Sequence, residues 1–174
     1  MTDDEMIALI QATMEAQYEA DTYSADEPTR AKPHPPASPE EINAFEAHLH
    51  SRQLTLPPSY AQFLRLHNGI DDYVRGLSIR SIQQVEHLRE RDVGWRNISP
   101  IYQFIFASGE ETSSIAGFIP GSEDERGEMK VVVLSEQGEP NEYRDFEGFL
   151  KDQLHFYQDV LQAERAEREG LEDD

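Results

Sequence analysis

The stretch from Ser38 to Gly69 constrains this chain more than any other. Ser38-Pro39-Glu40-Glu41 spells a helix start. The serine hydroxyl accepts from the Glu41 N–H, and the Glu41 carboxylate reaches back to the Ser38 N–H. Pro39 falls at the first helical position, where its missing N–H costs nothing. Ile42, Phe45 and Leu49 then recur at helical spacing and make one apolar stripe. Leu56-Pro57 breaks the run, because a residue before proline is pushed to extended geometry. A second helix starts near Pro58, with Tyr60, Phe63, Leu64 and His67 on its faces. It ends at Asn68-Gly69, where glycine takes a left-handed cap at little cost. The expectation is a helical hairpin packed on something else.

The something else reads as a sheet. Gly76 to Ile82 alternates as a strand does, after a loop at Ile70-Asp71-Asp72-Tyr73. Ser81 to Arg91 has helical spacing through Val85 and Leu88. Three further strands are expected at Tyr102–Ala107, Ser113–Ile119 and Met129–Leu134. The last is almost wholly apolar, which predicts a central strand covered on both faces. Pro140 to Arg144 reads as an edge strand, since proline is tolerated there. Asp145 caps a final helix whose buried stripe is Phe146, Phe149, Leu150, Leu154, Tyr157, Val160 and Leu161. This places Phe45, Phe63 and Phe149 in one core. The fold class is therefore α+β: a twisted, mainly antiparallel sheet packed by helices from both ends of the chain.

Four segments follow from the punctuation. Residues 1–20 form an amphipathic helix through Met6, Ile7, Ile10, Met14 and Tyr18, either docked on the domain or offered to a partner. Residues 21–37 form a linker, because Pro28, Pro33, Pro35 and Pro36 deny it regular structure. Residues 38–162 form the domain. Residues 163–174 carry the last helix into solvent as an acidic end and tail.

The pattern Ser-Pro-Glu-Glu-Ile-x-x-Phe-Glu, then Leu-Pro-x-x-Tyr-x-x-Phe-Leu, then Asn-Gly resembles the entry module of the SUKH superfamily. With the strands and the Phe146-Glu147-Gly148-Phe149-Leu150 segment, the resemblance runs from about Ser38 to Leu161. One departure is Asp145 and Gly148, where the family commonly has Ser and Glu. The resemblance implies the SUKH fold and a protein partner. The superfamily holds immunity proteins of bacterial polymorphic toxin systems and a fungal regulator of cell-wall synthesis. Two functions are thereby implied. One is an immunity protein that neutralises a cognate toxin domain. The other is an intracellular scaffold or regulatory binding module without a toxin partner.

Charge bears on the choice of partner. Thirty-five acids face 15 lysines and arginines, a net charge of −20. That argues against nucleic acid and anionic membranes, which need a basic face. It favours a basic protein, a nuclease-type toxin among them, because opposite fields speed encounter. There is no cysteine, no secretory leader pattern and no apolar run of membrane-spanning length, so the expected compartment is the cytoplasm. No cofactor and no metal are expected, and no catalytic residue is assigned. The six histidines lack ligand spacing, and no nucleophile elbow or phosphate-cradling loop occurs. The candidate partner-binding residues are Tyr73 and Trp95 as aromatic anchors, with core packing as the competing role for Trp95. To these are added Glu110, Glu111, Glu123, Asp124 and Glu125 as an acidic rim in turns at one end of the sheet.

Overall fold

The computed structural model describes residues 1–24, 27–74, 76–91, 103–109, 114–135 and 139–172. Within them the order is α1 (Asp3–Ser24), β1 (Lys32–Pro33), α2 (Pro39–His50), α3 (Pro58–Leu66), β2 (Ile70–Val74), β3 (Leu77–Ile79), α4 (Ile82–Arg91), β4 (Ile105–Gly109), β5 (Ile115–Phe118), β6 (Val131–Leu134), β7 (Asn141–Tyr143) and α5 (Phe146–Glu172). The strands form one seven-stranded sheet in chain order, antiparallel throughout. The α+β class and the helical packing from both ends of the chain are as expected.

The two caps form as the sequence dictates. Glu41 N donates to Ser38 Oγ at 3.2 Å and Ser38 N donates to Glu41 Oε2 at 2.8 Å. Ile42, Phe45 and Leu49 are buried along α2. At the start of α5, Asp145 Oδ1 accepts from Gly148 N at 2.7 Å. Gly69 has φ +101°, and a Cβ there would meet Ser81 N at 2.8 Å and Ile79 O at 2.9 Å. Glycine is thus required both by backbone conformation and by the close pass of β3. Beside it, Asn68 Oδ1 accepts from Ile82 N at 2.9 Å, which ties the end of α3 to the start of α4.

The core is a nest of rings centred on Tyr60. The rings of Phe63, Phe104, Phe106, Phe118 and Phe146 have centroids 5.1–6.0 Å from it. Most are tilted or edge-on, the arrangement the ring quadrupole favours. Phe45, Phe63 and Phe149 belong to this same core, as the helical stripes require. A bulge in β4 makes the packing possible. Ile105 pairs with Gly117 and Ala107 with Ala116, so β4 spends one more residue than β5 over that step. The extra residue is Phe106, which therefore turns inward next to Ala107 instead of alternating away.

Three expectations are corrected. The linker is not structureless: its start continues α1 to Ser24, and Lys32–Pro33 pair with Ile70 and Asp71. His34 N donates to Gly69 O, Asn68 N to Pro35 O and Ala37 N to Leu64 O, which straps residues 34–37 onto α3. The loop expected at Ile70–Tyr73 is strand β2, with a bulge and Asp72 at φ +51°. The apolar strand β6 is not central; only the edge strand β7 lies beyond it, and Val133 and Leu134 are half-exposed. The helix does run on past residue 162, since α5 extends to Glu172 with most of residues 162–168 exposed.

That last stretch packs against α1. Met1 N lies 3.3 Å from Glu147 Oε2, Glu19 Oε1 is 2.7 Å from Arg165, and the Arg168 guanidinium sits over the Tyr23 ring at 4.3 Å. The two helices therefore advance in step and in parallel. Met6 and Ile10 are fully buried on the inner face of α1, and Thr13, Ala16, Gln17 and Ala20 continue that face.

Candidate functional site

Tyr73 does not serve as an exposed anchor. It is fully buried in β2 beneath α1, and burial pushes its phenol pKa up. Its hydroxyl lies towards Thr13 and has no hydrogen-bond partner, while the Thr13 hydroxyl donates to Leu9 O at 2.8 Å. Trp95, Glu110 and Glu111 lie outside the described residues, as does Tyr102.

The β5–β6 connection is described, and its three acids have different tasks. Glu123 is exposed and approaches Thr55 Oγ1 at 3.4 Å. Glu125 is exposed. Asp124 organises the turn. Its Oδ1 accepts from Arg126 N at 2.8 Å and Glu128 N at 3.0 Å, and its Oδ2 takes the Arg126 guanidinium at 3.1 Å. Burial pushes the Asp124 carboxyl pKa up, but the Glu128 and Arg126 N–H groups and the guanidinium outweigh it and hold the group below the usual carboxylate value. Arg126 also reaches Asp145, the cap of α5, at 3.2 Å. Asp124 is thus committed inside the fold.

Sequence reasoning missed Glu128. Its carboxylate is buried, accepts from Ser59 N at 2.8 Å and takes the Ser59 hydroxyl at 2.6 Å. The residue before α3 is Pro57, which offers no side-chain cap. Glu128 supplies that cap from a remote loop, and its negative charge suits the positive end of the helix dipole. No local spacing announces such a cap.

Among the described residues no group of three or more His, Asp or Glu is placed to hold a metal ion. His34 Nε2 pairs with Asp71 Oδ2 at 2.9 Å on the β1–β2 edge. Half-buried His67 has its pKa lowered by burial, and a hydrogen bond to the His34 backbone opposes this. Both histidines hold the 34–37 strap in place.

Two concave surfaces flank α1. One, of about 630 Å³, lies between α1 and α5. The other, of about 580 Å³, lies between α1 and residues 30–31. Glu15 walls both. On this ridge the Arg30 guanidinium sits over the Tyr18 ring at 3.7 Å.

The order of helices, meander and closing helix has its counterpart in a known family. Residues 36–159 match the model of the SMI1/KNR4 family, SUKH-1. The chain belongs to this family. No curated protein matches the chain. The SUKH-1 segment takes in α2 to β7 and α5 as far as Asp159, whereas α1, β1 and the end of α5 lie outside it. Among the described residues no helix is long and apolar enough to cross a membrane.

Proposed function

We propose that this SUKH-1 protein is an immunity protein: it binds a cognate toxin domain of a polymorphic toxin system and neutralises it in the cytoplasm. Membership of the family over residues 36–159 is the observation that carries the reading. The net charge of −20 supports a basic partner such as a nuclease-type domain, through long-range attraction that speeds encounter. The protein acts by binding and takes no part in covalent chemistry. Exposed Glu123 and Glu125, together with Glu110, Glu111 and Trp95, contribute to contact with that partner. Asp124 and Tyr73 act inside the fold.

The test is co-expression with the toxin domain encoded beside this gene. Growth is expected to be restored by this chain and not by an unrelated acidic protein. The purified pair is expected to associate more slowly as salt is raised, since screening weakens steering. A toxin domain that stays lethal and does not bind would overturn the reading in favour of a scaffold or regulatory module.

A further inference from the structure

We infer that the groove between α1 and α5 seats a cationic, arginine-bearing segment of the partner protein, an inference that rests on the basic partner proposed above. The floor is low because α1 contributes Ala12 and Ala16 and α5 contributes Ala166, so another backbone can come close. Leu154 and Leu161 give it an apolar base, and Glu15 and Glu19 stand on its rim.

The chain's own arginines show what this ridge accepts. Arg165 donates to Glu19 at 2.7 Å, Arg30 covers Tyr18 at 3.7 Å and Arg168 covers Tyr23 at 4.3 Å. Carboxylates and ring faces here already take three guanidinium groups, in a chain whose acids far outnumber its bases. Glu15 stands one turn before Glu19, is exposed and has no ion pair among the described residues. It walls the grooves on both sides of α1. A guanidinium entering the α1–α5 groove would meet the Glu15 carboxylate as a charge-assisted pair. The apolar base would shelter that pair from water more than an open surface does. Much of this surface comes from α1 and the end of α5, outside the matched segment.

The experiment has two arms, both on the full chain. The first is an NMR titration with an alanine-based helical peptide carrying arginine at every fourth position. Saturable shifts are expected along Glu15–Glu19 and Gln158–Gln162, with none from the counterpart carrying glutamate. Glu15→Lys is expected to weaken binding by at least about tenfold, while Glu46→Lys on the exposed side of α2 leaves it within about twofold. Both sites are exposed, so thermal melts of the variants should match the parent. Shifts scattered over all acidic surfaces, or a Glu15→Lys chain that binds the peptide normally, would overturn the inference. The second arm repeats the affinities with the toxin domain encoded beside the gene. A domain that binds parent and Glu15→Lys equally would overturn the groove and leave the immunity reading standing. A domain that does not bind the parent, beside a peptide that still seats at Glu15, would remove the immunity reading and sustain the groove.

Discussion

The nest of rings around Tyr60 and the seam between α1 and α5 are both buried, yet they are built from different materials. In the nest, α3, β4, β5 and α5 each bring aromatic side chains with no exposed surface. In the seam, only Met6 and Ile10 are large, apolar and fully buried on the α1 side. Beyond them α1 offers Thr13, Ala16, Gln17 and Ala20, and its outer edge is clipped by exposed arginines. The Gln17 amide reaches Asp21 at 3.4 Å while its Oε1 has no partner, and burial pushes the Asp21 carboxyl pKa up. The nest lies within the family segment and α1 outside it. The lesson is that one chain can attach an additional element without rebuilding its core, by using small, polar and charged contacts. Such an attachment is weaker and responds to salt, whereas the nest responds to volume.

The comparison breaks most easily in the nest. Phe118→Ala should cost about 3–5 kcal/mol in denaturant unfolding, because the packed rings of Tyr60, Phe104, Phe106 and Phe146 around it cannot close over the void. If the loss were under about 1 kcal/mol, the nest would not be what holds the domain. Glu128→Ala should cost about 1–3 kcal/mol by leaving the Ser59 N–H buried without its acceptor. Glu128→Gln should recover part of that loss, since the amide oxygen still accepts.

In the seam the sign reverses. Gln17→Met should stabilise by about 1 kcal/mol, because it removes an unpaired buried oxygen at nearly constant volume. A destabilised Gln17→Met protein would show that the seam relies on its polar contacts.

The legibility of the two regions also differs, and for reasons that can be named. The capping box at Ser38 and Glu41 spans three residues, so the sequence displays it whole. Phe45, Phe63 and Phe149 each lie on the apolar stripe of a helix, which is enough to imply the core they share. Strand β2 was misread because Asp71 and Asp72 are poor strand formers and the positive φ at Asp72 interrupts the alternation. Strand β1 was hidden by its proline, which an edge strand tolerates. Burial of Tyr73 has no local signal, because α1, from much earlier in the chain, covers it. Glu128 caps a helix 69 residues distant, beyond any local pattern.

A smaller effect tests the strap that joins the two regions. His67 titrates near 6.5 when unfolded, and burial lowers its pKa in the fold. The folded state thus prefers neutral imidazole. Its contribution is complete above about pH 6.5 and is lost as pH falls through the lowered folded pKa. Urea midpoints of the parent should decline over that window more steeply than those of His67→Gln. Parallel profiles would remove His67 from the account.

The smallest effect belongs to the clips. Arg165→Ala should lower Tm slightly at low ionic strength and not at all in high salt, since an exposed pair is readily screened. The same salt series should leave Phe118→Ala uniformly damaged. A salt-independent Arg165 effect would mean the side chain acts by packing instead.

The in-step pairing of α1 with α5 also has a consequence for the order of events during synthesis. Every strand of the meander pairs with one already made or next to emerge, so the sheet can grow as the chain leaves the ribosome. Helix α1 has no such near neighbour for its main contact. Glu19 and Arg165 are 146 residues apart. At usual translation speeds that separation lasts on the order of ten seconds. Throughout it, Met6 and Ile10 lack the α5 surface that completes their burial. The modest, partly polar buried face of α1 suits a segment that must wait in water for its seat.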